Sequence, residues 1–150
     1  EALPGFRNRV SLAMEGRHHL PVGPGASVGL AYRFYYDDFH IIANTVDLSY
    51  YQYIWKERTM IRVRFRYYHQ GESSFFDANP SSVRRYRTQD PIHSRFQSFT
   101  VGAKIVFLAA SAFKDAGFWD HLDVDFSLDY YGRDDGIDGV FGSFGITYYF

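Results

Sequence analysis

The sequence predicts an all-β fold, an antiparallel barrel wall of at least seven strands, and three observations predict it. Seven segments alternate apolar and polar residues with period two, the repeat of a strand whose two faces meet different surroundings. Aromatic residues make up 20% of the chain and charged residues 22%, so two incompatible classes must be kept apart, and alternation does this by sorting them onto opposite faces. The joints between segments are rich in Gly, Pro and Asp, the residues of turns.

Segment 9–15 sends Val10, Leu12 and Met14 to one side and Arg9 and Glu15 to the other. A Pro/Gly turn at 19–25 leads into 26–36, where Ala26, Val28, Leu30, Tyr32, Phe34 and Tyr36 share the apolar side and Arg33 faces away. The acidic loop 37–40 precedes 45–53, in which Val46, Leu48 and Tyr50 oppose Asp47. Beyond the four-residue turn 55–58, segment 61–68 alternates Ile61, Val63, Phe65 and Tyr67 with Arg62, Arg64 and Arg66. The long polar loop 71–93 is followed by 98–107, where Phe99, Val101, Ala103, Ile105 and Phe107 oppose Lys104. After the connection 109–121, segment 122–131 sets Leu122, Val124, Phe126, Leu128 and Tyr130 against Asp123, Asp125 and Asp129. An acidic glycine turn, 132–139, introduces 143–150 with Phe144, Ile146, Tyr148 and Phe150. The apolar face carries no charge in any segment, and helical spacing is expected nowhere.

The longest charge-free stretch around the first turn, 18–32, is broken by Pro21, Gly23, Pro24 and Gly25, so it cannot form the roughly 20-residue apolar helix that spans a bilayer. Alternation alone does not separate a membrane barrel from a soluble, lipocalin-like ligand-binding barrel, because exchanging inside for outside leaves the pattern unchanged. Aromatic placement does discriminate. Phe34, Tyr36, Tyr67 and Tyr130 fall near one rim, and Tyr53, Trp55, Trp119, Tyr148 and Phe150 near the other, as in the two girdles of a transmembrane barrel. Gly145, Tyr148 and the terminal Phe150 resemble the C-terminal signal that hands such barrels to their assembly machinery. The expectation is therefore a transmembrane antiparallel barrel of the bacterial outer membrane. Its partners would be outer-membrane lipids, the barrel-assembly machinery and other envelope proteins.

With Phe150 on the periplasmic side, the long loop 71–93 falls outside and the short turn 55–58 inside, the usual asymmetry. Bacterial single-chain barrels have even strand numbers, so seven strands imply at least one more. Glu1 begins without a methionine or an apolar leader, and the expectation is that this is the C-terminal part of a larger barrel rather than one completed by another chain.

Three stretches, 31–38 (AYRFYYDD), 62–70 (RVRFRYYHQ) and 90–104 (DPIHSRFQSFTVGAK), resemble the outer-membrane family catalogued as domain of unknown function 3570. Phe39 stands where the family pattern leads one to expect Trp, and the third stretch matches only at its acidic start and at Gly102, Ala103 and Lys104. The resemblance implies one domain over essentially all 150 residues, the C-terminal part of a longer barrel, and implies no activity.

The charged face is the expected lumen: Arg33, Asp47, Arg62, Arg64, Arg66, Lys104, Asp123, Asp125 and Asp129. Arg62, Arg64 and Arg66 form a basic ladder that would favour anions in a water-filled pore. The same arginines would close the barrel if they paired with Asp47, Asp123, Asp125 and Asp129, because charges removed from water need partners. Asp134, Asp135 and Asp138 could gather oxygen ligands for calcium, without EF-hand spacing, though solvated hairpin ends are the commoner use of such turns. Asp37, Asp38 and His40 are the acid and histidine set that an enzyme on an outer loop would use, against the plainer reading of an Asp-rich surface loop.

Six histidines lie scattered without ligand spacing, and Ser73 and Ser74 have no local His and Asp partners. No cofactor is expected. Sixteen Lys and Arg against 17 Asp and Glu leave a formal charge of -1, too little for a nucleic-acid surface. The expected function is a pore, a transporter or a structural component of the outer membrane, with an enzyme or a soluble binding barrel as alternatives. The loop 71–93, with Arg84, Arg85 and Arg87, either constricts the lumen or faces outward.

Overall fold

The computed structural model describes residues 6–23, 25–55, 58–79, 88–109 and 121–149. These form seven strands: β1 (Arg9–Leu20), β2 (Ala26–Asp37), β3 (Ile42–Ile54), β4 (Thr59–Gln70), β5 (Phe96–Leu108), β6 (Leu122–Arg133) and β7 (Asp138–Tyr148). They make one sheet in sequence order, every neighbouring pair antiparallel. The sheet is open, with β1 and β7 as its edges, so the described residues form a wall and not the closed barrel expected from the sequence. No helix among them is long and apolar enough to cross a membrane.

All seven strands appear where the alternation places them, but most run longer. β1 continues through Gly16, Arg17, His18 and His19 to the pair Leu20↔Ala26, because backbone hydrogen bonds hold it to β2 whether or not its side chains alternate. β7 starts at Asp138, five residues before the sequence reading, and the pair Gly132↔Asp138 reduces the expected 132–139 turn to a tight hairpin. Gly136 supplies the positive φ, +88°, that this turn requires, and the Arg133 N–H donates to the Ile137 carbonyl at 2.8 Å. Helical structure among the described residues contradicts the expectation of none. Pro91–His93 forms a single 3-10 turn, with Pro91 at its start and the Asp90 carboxylate capping the Ile92 N–H at 3.0 Å.

Residues directly opposite in antiparallel strands share a face, so the registers draw rows across the sheet. Three successive rows cross the middle of the charged face, Asp47–Arg66–Thr100–Tyr131, Ser49–Arg64–Gly102–Asp129 and Tyr51–Arg62–Lys104–Ser127, and Tyr53–Met60–Val106–Asp125 follows them. This face is concave and borders a cavity of about 1290 Å³ whose lining includes Glu15, Arg33, Asp47, Arg62, Arg64 and Arg66. The apolar face is convex and open, with Leu30 54%, Phe65 44%, Phe126 54% and Phe144 67% exposed, and carries Asp138 at the loop-end start of β7.

The buried apolar side chains lie at the two ends of the sheet and not across the middle of its apolar face. Phe39, Ile41, Ala43 and Phe96 sit at the end that carries the 38–41, 71–95 and 134–137 connections, here called the loop end, while Ala26 and Leu122 sit at the opposite, turn end. At the loop end Phe39 meets Phe75 edge-on at 5.0 Å and lies 6.0 Å from the His93 ring. The Ser73 N–H donates to the His93 carbonyl and the Ser74 N–H to the Phe39 carbonyl, both at 2.9 Å. Ile92 and His93 join the cavity lining, so this part of the 71–93 loop turns inward over the concave face. Arg84, Arg85 and Arg87, most of the 109–121 connection with Trp119, Pro24 and Phe150 lie outside the described residues.

Candidate functional site

The concave face is built from short side chains beside long charged ones. On β4 the period of two presents Arg62, Arg64 and Arg66 to the same side, and β3, β5 and β6 bring carboxylates to them. Arg66 Nε donates to Asp47 Oδ2 at 2.8 Å, across a directly opposed pair. Arg64 Nη2 donates to Asp129 Oδ1 at 3.1 Å, although β5 runs between their strands. That reach is possible because the intervening position is Gly102: a Cβ there would stand 1.9 Å from Asp129 Oδ1. Lys104 Nζ meets Asp125 Oδ1 at 2.8 Å. Asp125 in turn occupies the space above Gly145, where a Cβ would come within 2.5 Å of its Oδ2.

Of the expected ion network, Asp47, Asp125 and Asp129 take a cation each. Asp123 instead accepts the Tyr149 hydroxyl at 3.0 Å. Arg62 and Arg33 make no ion pair among the described residues. Arg62 lies directly opposite Lys104, a like charge, and directly opposite Tyr51 on its other side. The Nε of Arg62 and that of Arg64 are buried without a hydrogen-bond partner among the described residues. Sequence reasoning singled out these arginines as a group; which of them is left over depends on register, which alternation does not carry.

At the loop end the acid and histidine set resolves into a structural knot. Asp37 is 1% exposed, and both its oxygens are engaged. Oδ1 accepts the N–H of Phe39 at 2.9 Å and of Ile41 at 3.1 Å, while Oδ2 accepts Arg7 Nε at 2.8 Å and the Tyr35 hydroxyl at 2.9 Å. Burial pushes this carboxyl up, and the hydrogen bonds from Arg7, Tyr35 and the Ile41 backbone outweigh it, holding the group below the usual carboxylate range. Asp38 Oδ2 caps the Asn8 N–H at 2.8 Å. His40, at a φ of 62°, brings Nδ1 to 3.4 Å from Ser74 Oγ, a contact that nothing in the sequence spacing signalled. Arg7 also stacks on Phe39, its guanidinium carbon 4.5 Å from the ring centre. A carboxylate with every acceptor position filled is poorly placed to take a proton from a water, so Asp37 organises the loops.

The calcium candidate is not assembled. Asp135 pairs with Arg133, and among the described residues no three His, Cys, Asp or Glu side chains converge on a cation position.

The convex face has polar detail that the sequence did not reveal. Three of its tyrosines donate hydroxyl hydrogen bonds to amide oxygens near the strand ends: Tyr32 to Asn44 Oδ1 at 2.6 Å and Tyr67 to Gln97 Oε1 at 2.7 Å toward the loop end, Tyr50 to Gln52 Oε1 at 2.6 Å toward the turn end. Between them lie Leu48, Val63, Val101, Ala103 and Leu128. Tyr148, of the C-terminal motif, faces the same side opposite Leu122, whereas Gly145 lies on the charged face beneath Asp125.

No curated protein and no solved structure matches the chain. The family described as "Protein of unknown function (DUF3570)" matches it over residues 1–146, and the chain belongs to that family.

Proposed function

We propose that this chain forms part of the wall of a bacterial outer-membrane β-barrel, with its convex face against lipid and its concave face bordering a water-filled interior. The protein is then a pore, a transporter or a structural component of that membrane. The observation that carries the reading is the direction of curvature. A soluble ligand-binding barrel curls its apolar face around a cavity and turns charge outward; this sheet curls the other way. Apart from Asp138 at the loop-end start of β7, the convex face carries uncharged side chains on all seven strands, with a broad exposed apolar band at its middle of the kind that soluble monomers rarely present.

Two further features support it. Tyrosine hydroxyls tied to amides at both ends of the apolar band suit rings that sit at a membrane boundary with one end dry and one end wet. Strands of 11 to 13 residues are long enough to cross the hydrocarbon when tilted, which takes roughly 9–11. The free edges of β1 and β7 fit only if further strands pair with them, because an unpaired backbone edge does not persist in lipid. The reading therefore includes a larger, even-stranded barrel.

The test is single-channel recording on the full-length protein, purified in detergent and inserted in a planar bilayer. Discrete current steps are expected of an open interior, and silence from a correctly inserted protein would point to a closed, structural barrel. A protein that stays monodisperse in buffer without detergent would refute the membrane reading.

A further inference from the structure

We infer that Arg62, with Lys104 and Arg64 beside it, is an oxyanion-binding station on the concave face, taking a small phosphate or carboxylate group. The inference rests on the proposal that this face borders water. Four cations gather within adjacent rows: Arg62 and Lys104 directly opposite each other, Arg64 two residues along β4, and Arg17 stacked on Tyr51 with its guanidinium carbon 4.3 Å from the ring centre. Two carboxylates, Asp125 and Asp129, answer them, and these are already engaged by Lys104 and Arg64. Glu15 and Asp47 share the row next to that of Arg64, where Arg66 engages Asp47, and Asp123 lies beyond Asp125 and accepts the Tyr149 hydroxyl.

Like charges directly opposite in an antiparallel pair repel, and an anion seated between Arg62 and Lys104 removes that cost. The donors for it are in place. The Nε groups of Arg62 and Arg64 are buried without partners among the described residues, and both arginines line the cavity. They project from one face of one strand about 7 Å apart. A guanidinium presents its N–H groups as a planar fork matched to two oxygens of one group, which favours an oxyanion over a halide. Arg66 is different, since Asp47 already occupies its Nε.

Titration of the full-length protein in detergent with inorganic phosphate, followed by calorimetry, tests this. Saturable binding is expected, weakened at least about tenfold by Arg62→Gln and partly restored by Arg62→Lys. Lys104→Gln, which also leaves Asp125 unpaired beside the site, weakens it comparably and serves if the Arg62 variant does not fold. Arg66→Gln, which removes the same charge from a paired position, is expected to change affinity by no more than about twofold. A β-folded protein with no saturable phosphate binding, or one whose affinity is the same after Arg62→Gln and Lys104→Gln, overturns the inference. If the protein proves soluble, the membrane proposal fails by itself, and the same titration in buffer still decides the anion site.

Discussion

Gly102 and Asp129 show how much of the concave face depends on single atoms. Gly102→Ala drives a methyl group into Asp129 Oδ1 and breaks its bond to Arg64, with an expected loss of about 1–3 kcal/mol in urea unfolding from micelles. Gly16→Ala meets nothing within 4 Å and is expected to change stability by less than about 0.5 kcal/mol. Combining Gly102→Ala with Asp129→Ala removes the clash, so the double variant should cost at least about 1 kcal/mol less than the sum of the two. Additive losses would mean that Gly102 does not act through Asp129. Asp37, closing β2 at the rim beyond Tyr36, predicts a pH effect. Its folded carboxyl is held below the ordinary value of about 3.9, so its contribution is complete above that pH and disappears as pH falls through the lower folded value. Asp37→Asn should therefore flatten the part of the stability profile below about pH 4 and leave its shape at neutral pH unchanged.

At the scale of the strand, period two was enough to place every one of the seven strands and to sort most of its residues, because a strand held between two unlike environments repeats that difference residue by residue. It failed where the difference vanishes. Gly16, Arg17, His18 and His19 are polar on both faces of an edge strand, and Gly139 and Phe141 put a glycine and an apolar ring on the charged side of β7. Pairing across the charged face was half legible: the arginines and aspartates were expected to meet, but only the register shows that Asp47 takes Arg66, Asp129 reaches Arg64 over a glycine, and Asp123 turns to Tyr149. The knot around Asp37 was invisible, since it joins Arg7, Tyr35 and Ile41 through loop geometry that no periodicity encodes. The facing assignment predicts unequal tolerance. Val63→Arg or Ile105→Arg, each placing a charge near the middle of the lipid-facing band, should cost roughly 2–4 kcal/mol of folding into bilayers, and Arg66→Ser far less. Similar costs at both kinds of position would contradict it.

At the largest scale, the described residues form an open wall with two unsatisfied margins. β1 and β7 are exposed on both faces and each lacks a neighbour on one side among the described residues, while the five strands between them are paired on both. In the full-length protein in detergent, the outward backbone N–H groups of β1 are expected to exchange as slowly as those of β4, because a further strand holds them. Rapid exchange there would leave the wall open and count against a barrel. The chain contains no cysteine, which makes its faces directly addressable by single-cysteine labelling. The most direct test of the account is a fluorophore placed in turn at positions 61 to 66 of β4 in the protein reconstituted in liposomes, with quenching by brominated lipid compared to quenching by aqueous iodide. Lipid quenching at 61, 63 and 65 alternating with iodide quenching at 62, 64 and 66 is the predicted result; the absence of lipid quenching at every position would contradict the membrane wall outright.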